Sequence, residues 1–175
     1  WLAITLARYV STVTAETPFE LWRSTFDSST TNAPARRECV LALAVSNSPT
    51  TVSFLQGSPE RDADALVRVL CREVAGGVTR LAGGSVGARF VARTAGELRS
   101  QDPATRLGAV SGLVFHASSS AVAQDALLEA ARGEANAFIA GIALGLVSRF
   151  VEPHKLALKG SISRIDRATN GTADA

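Results

Sequence analysis

The tightest constraint on this chain is how often it spells the start of a helix. Thr17-Pro18-Phe19-Glu20 offers a cap hydroxyl, Pro at the first helical position and Glu at the third, which is a capping box. Ser48-Pro49, Ser58-Pro59 and Asp102-Pro103 repeat the cap-then-Pro order, and Asn32 stands two residues before Pro34. Pro is tolerated there because the N–H it lacks has no partner in a first helical turn. Four or five helix starts are therefore marked by residue chemistry alone.

Between these starts, apolar residues recur at helical spacing. Leu66, Val67, Leu70, Cys71 and Val74 make one stripe, and Phe90, Val91, Thr94 and Leu98 make another. Leu127, Leu128 and Ala131 continue the pattern after the Ser118-Ser119-Ser120 break. The reading predicts helices near 2–13, 18–28, 33–46, 49–56, 60–75, 86–100, 103–117, 120–132, 135–151 and 153–159. Val78–Leu81 is the one candidate strand, and no segment alternates with a period of two. The helical part is assigned to residues 1–160. Residues 161–175 are polar, without apolar rhythm, and are assigned to a tail or linker.

Composition narrows the class. The chain has 175 residues, 46% hydrophobic, 19% charged and 6% aromatic, with a formal net charge of +2. That suits one domain with a core and excludes a disordered chain. The near-neutral charge argues against nucleic acid as a partner. Of the 18 basic residues only Lys155 and Lys159 are Lys, and the excess of Arg is assigned no function. Two cysteines exclude a disulfide scaffold, and Cys39 and Cys71 are read as small buried hydrophobes in a cytoplasmic protein. The uncharged stretches, residues 107–124 and 135–148, do not make a membrane span: one is interrupted by serines and the other is short. With Trp at position 1 and no Met, the chain is expected to be processed or a piece of something longer.

Helices joined by short loops leave a closed bundle or a stacked array, and internal repeats favour the array. Arg36-Arg-Glu-Cys39-Val-Leu-Ala42-Leu43 and Arg106-Leu-Gly-Ala109-Val-Ser-Gly112-Leu113 share Arg, small, small and Leu at equal spacing. The interval from Arg36 to Arg106 suits two helical hairpins, and Arg68-Val-Leu-Cys71 reads as a degraded copy between them. Gly108-x-x-x-Gly112-Leu113-Val114 aligns with Gly141-x-x-x-Gly145-Leu146-Val147, one hairpin further on. Small residues at this spacing let neighbouring helices approach closely.

The stretch from Leu98 to Leu113 resembles the turn and second helix of a HEAT repeat. Asp102, Pro103, Arg106, Ala109 and Leu113 occupy the positions where that family has Asp-Pro, Arg, a small residue and Leu. Residues 32–43 match less fully, and the stretch at 135–147 has Ala135 and Ile139 where the acid and the Arg would stand. The resemblance implies an all-α solenoid of antiparallel helix hairpins, a segment of a longer array. It further implies a protein–protein interaction scaffold whose partners dock on the concave face, with Asp102 and Arg106 serving the stacking of repeats. The alternative is a closed all-α bundle acting as a ligand-binding regulatory domain or an assembly subunit.

Catalysis has one sequence candidate. Gly83-Gly84-Ser85-Val86-Gly87 fits Gly-x-Ser-x-Gly, with Gly77–Ala82 as a short preceding strand and Asp125 and His154 completing a Ser, acid, His order. A serine hydrolase of that kind needs several buried parallel strands, and the β-branched runs for them are missing. The other reading is a glycine loop with Ser85 as helix cap. His116 and His154 have no partners at metal-ligand spacing. Arg89 and Arg93, with Arg80 and Arg99, could form a basic stripe, although Glu97 stands four residues from Arg93 and favours a solvated face. Asn170-Gly171-Thr172 is a glycosylation sequon only if the chain is secreted. No catalytic, cofactor-binding or metal residue is assigned, no cofactor is expected, and the chain is read as a non-enzyme.

Overall fold

Side-chain caps set where the helices begin. The computed structural model describes residues 19–45 and 49–149. Their regular elements are all helical: α1 (Phe19–Ser28), α2 (Ala33–Ala42), α3 (Pro49–Leu55), α4 (Ala65–Ala82), α5 (Gly84–Glu97), α6 (Pro103–Leu113), α7 (Ala121–Gly133) and α8 (Ala137–Val147). The side chain of Asn32 accepts from the Ala35 N–H, and that of Asp102 from the Ala104 and Thr105 N–H groups. Asp64, Ser120 and Asn136 do the same for α4, α7 and α8. Ser58 makes no capping bond and opens only the short 3₁₀ turn Pro59–Arg61, so the start expected near residue 60 moves to Asp64. The Thr17 capping box, Ser48, the helices expected at 2–13 and 153–159 and the polar segment from Ser161 lie outside the described residues.

The candidate strand Val78–Leu81 is helix. It forms the last turns of α4, which runs through Gly76 and Gly77 without a break. Two glycines in a helix interior cost stability, so packing must recover it. It does, because α4 and α6 cross backbone to backbone at this point. A Cβ built on Gly76 would lie 2.3 Å from the Gly112 carbonyl oxygen, and one on Gly112 would lie 2.6 Å from that of Arg72. One on Gly108 would meet the Arg72 side chain at 2.8 Å. These pairings match residues 69 and 72 with 108, 76 with 112 and 77 with 115, so α4 and α6 run in the same direction and in register.

The second glycine pair behaves differently. Nothing lies within 4 Å of a Cβ added to Gly141 or Gly145. Counted from the caps Asp102 and Asn136, Gly108 is the sixth residue but Gly141 only the fifth. One residue turns a side-chain position about 100° around a helix, so the two Gly-x-x-x-Gly motifs face different directions. The positions that do correspond are buried in both helices: Ala109 with Ala143, and Leu113 with Val147.

Helices α2, α4, α6 and α8 form a row in which each touches the next. Each of them also packs against the helix before it, α1, α3, α5 or α7, and α5 touches α7. A single apolar cluster runs from Phe26 through Leu43, Leu55, Val67, Leu113 and Leu127 to Val147. Its few aromatic rings gather in two places: Phe54 receives Phe19 and Phe26 edge-on, and Phe90 lies against His116 beside the α4–α6 crossing.

The crossing predicts opposite signs for one substitution at two places. Gly112→Ala should lower the unfolding free energy by about 2 kcal/mol, because backbone rather than a side-chain tip must move. Gly145→Ala should raise it by about 0.5–1 kcal/mol, since Ala restricts the unfolded chain and meets nothing when folded. Urea unfolding of both variants checks this, and equal effects would refute the crossing.

Candidate interaction surface

Three arginines hold the turns together in the same way. Arg36, Arg68 and Arg106 each stand four residues after a cap, the caps being Asn32, Asp64 and Asp102. Arg36 donates from Nη1 to the Ser29 and Thr30 carbonyls and grips Asp62 through Nε and Nη2 at 2.7 and 2.9 Å. Arg106 donates to the Ser100 and Gln101 carbonyls and grips Glu134 at 2.7 and 3.1 Å. Arg68 donates to the Asp62 and Ala63 carbonyls and reaches Asp102 at 3.2 and 3.4 Å. In each case the planar fork binds the turn before its own helix and an acid in the turn before the next even-numbered helix. At the corresponding position of α8 stands Ala140.

Arg68 thus does the same work as Arg36 and Arg106, which the sequence pattern undervalues. The pattern also misses Asp62 and Glu134, which sit two residues before a cap rather than on it. Arg37 adds a further grip on Asp64 at 2.5 and 2.9 Å. These bonds change the acids. The Arg36 guanidinium holds the Asp62 carboxyl low, and that of Arg106 does the same for Glu134. The bond from Arg37 keeps Asp64 at about 2. Burial pushes Asp102 up, but the Thr105 hydroxyl, Arg68 and the Ala104 and Thr105 amides outweigh it and hold the group at about 2.

The basic stripe expected from Arg80, Arg89, Arg93 and Arg99 is paired with acids at two of its four members. Arg93 binds Glu60 and Glu97, and Arg99 binds Glu129 at 3.1 Å. Buried Arg72 reaches Glu97 from α4 at 2.8 Å. Glu60 is pushed up by burial against the pull of Arg93.

Gly83 alone separates α4 from α5, and Gly84–Gly87 form the first turn of α5. Gly83 and Gly84 take φ of +65° and +52°, where a side chain would be strained, and Ser85 lies exposed in the first turn of α5. Gly83, not Ser85, holds the cap position. The strand a nucleophile elbow needs is helix here, Asp125 is exposed on α7, and His154 falls outside the described residues. His116 is buried instead, with Nε2 3.1 Å from the Thr79 hydroxyl, and burial lowers its pKa. That hydroxyl already donates to the Ala75 carbonyl at 2.7 Å, so it accepts from the imidazole. With Gly83, Gly84 and Gly87 the ring walls a recess of about 270 Å³. Cys39 and Cys71 are buried free thiols, and burial pushes Cys71 up to about 12.

Leu21, Val122 and Phe138 are exposed on separate helices, whereas α4 and α6 together display a continuous stripe. Leu66, Leu70, Glu73, Gly77 and Leu81 follow one another at spacings of three or four along α4, with Leu66 50% and Leu81 71% exposed. From α6, Ser111 is partly exposed and Phe115, in the 3₁₀ turn Val114–His116, is 40% exposed with its ring 3.7 Å from where a Gly77 Cβ would be. Among the described residues, no helix is long and apolar enough to cross a membrane.

Comparison with protein-family models, curated proteins and solved structures finds no match for this chain.

The clamps set an acid limb of stability. Asp62, Asp64, Asp102 and Glu134 have folded pKa values below their unfolded ones, so the unfolded chain binds more protons as the pH drops. Their contribution is present above about pH 5 and is lost on the way down to about pH 2. Asp62→Asn should remove about 3 kcal/mol at pH 7, because buried Arg36 keeps its charge and loses its partner, and should flatten this limb. Arg99→Ala, at an exposed pair, should change stability by less than about 0.5 kcal/mol. Urea titrations at pH 7 and pH 3 measure both.

Proposed function

We propose that this chain is a non-catalytic scaffold of stacked helix hairpins, HEAT-like in design, that binds other proteins on the face displayed by the even-numbered helices. The observation that carries the reading is the recurring arginine clamp. A bond set repeated behind the caps Asn32, Asp64 and Asp102, each tying one helix pair to the next, is what an array of similar units needs. Support also comes from the row α2–α4–α6–α8, in which every helix has a neighbour of its own kind. On this reading the second helix of each hairpin lines the concave side, and the α4–α6 stripe is part of it. The free buried thiols Cys39 and Cys71 suit a reducing, cytoplasmic setting.

Two measurements test this. In a stack each unit leans only on its neighbours, so Val40→Ala in α2 should speed hydrogen exchange in α1–α4 and leave α7 and α8 nearly unchanged. A uniform rise across all helices would indicate one closed core and defeat the solenoid. A photo-crosslinking residue at Ser111, on the even-helix face, should yield discrete protein adducts in the cells of origin, whereas one at exposed Arg89 on α5 should not. Equal labelling from both positions would defeat the docking face.

A further inference from the structure

The stripe on α4 carries an acid that pairs with nothing among the described residues. Glu73 is partly buried and makes no hydrogen bond or ion pair among the described residues. Other partly buried acids are engaged: Glu60 and Glu97 with Arg93, Asp62 with Arg36, Asp102 with Arg68, Glu134 with Arg106. The cations nearest in sequence are equally committed, since Arg68 serves Asp102 and Arg72 serves Glu97. Arg80 lies two turns further along the same stripe, about 10 Å along the axis, and stays exposed. Burial alone pushes the Glu73 carboxyl up, with no cation to oppose it.

The surroundings of this carboxylate are specific. Gly77 on α4 meets Phe115, and Glu73 and Ser111 each stand one turn before that pair on their own helices, so Ser111 is the α6 position on the side of Glu73. One turn further on, Gly77 leaves room for the exposed ring of Phe115. Leu70 and Leu66 continue the stripe in the other direction. A half-desolvated acid, with an aromatic face one turn away and aliphatic side chains behind it, fits one kind of side chain. A guanidinium can pair with the carboxylate through its fork and lie against the ring, and it gives up hydration more readily than an ammonium.

We propose that Glu73 anchors the docking face by receiving an arginine of a partner protein, carried between apolar side chains that settle along Leu66, Leu70 and Phe115. This rests on the scaffold reading and names the chemistry of its partner. Glu73 then serves binding at the expense of the free chain, in which no described residue pairs with it and the partner supplies the cation.

The test uses the full chain and four pools of fluorescent nonapeptides. Their centre is fixed as Arg, Lys, Gln or Glu, and the flanking positions are mixtures of Leu, Val, Ala and Ser. Polarisation should rise most with the Arg pool. Glu73→Gln should weaken that binding about 10-fold or more, the usual effect of removing a charge-assisted bond, without lowering the urea midpoint. Glu73→Arg should shift preference to the Glu pool, and Phe115→Leu should erase the advantage of Arg over Lys. The proposal is overturned if the wild type binds no pool or binds all four alike, if Glu73→Gln binds the Arg pool like wild type, or if that variant is less stable. Each of these results leaves the scaffold reading standing as long as Ser111 gives protein adducts. Absent adducts would instead remove the reading itself.

Discussion

The rest of the structure depends on how closely α4 and α6 approach. With Gly76, Gly108 and Gly112 at the crossing, the two backbones meet without side chains between them. That contact sets the register of the even-numbered row, and the register decides what else can form. It brings Arg68 to Asp102, lays the stem of Arg72 against Gly108, and sets Phe115 over Gly77. A larger residue at the crossing would separate the helices and disturb all of these together. The chain can therefore have few aromatic residues and still be well packed, because small residues bring backbones into contact where bulky ones would fill space.

The arginine clamps answer a different need. Turns between helices carry carbonyls with no partner in the helix ladder, and burying them unpaired is costly. Each guanidinium satisfies two such carbonyls and one carboxylate. Its charge is in turn balanced by an acid from the next turn, so the desolvation cost of burying Arg36 is offset only when both neighbours are in place. Local order in one turn and attachment to the next are thereby one event.

Much of this is legible in the sequence. Asn32 and Asp102 act as the caps that their residue types announce, and the class is all-α among the described residues. What escapes are features set by tertiary contact. Gly76-Gly77 reads as a break and Val78–Leu81 as β-branched enough for a strand, yet the crossing with α6 keeps one helix through both. Ser58-Pro59 has the composition of a helix start, but Asp64 takes the cap because its carboxylate is also fixed by Arg37. Gly141-x-x-x-Gly145 looks like a copy of Gly108-x-x-x-Gly112, and only the cap at Asn136 reveals the offset of one residue. On the surface, the stripe of basic residues is visible but their acid partners Glu60 and Glu129 are not, since those come from distant turns. Glu73 carries no motif at all; what distinguishes it is the lack of a partner among the described residues, which only the folded arrangement can express.

All three clamps lie at one end of the even-numbered helices, beside the turns that lead into them. At the other end, where α4 passes into α5 through Gly83 and Gly84, the contact of His116 with Thr79 links α4 to the turn that follows α6. The two ends of the α4–α6 pair are thus fastened differently, one by charge and the other, among the described residues, by packing and one uncharged hydrogen bond. A load that parts α4 from α6 would be met by ion pairs at one end and by packing at the other, so the gap would open first at the packed end. Opening and closing of the outer face would follow from that asymmetry without any helix having to unfold.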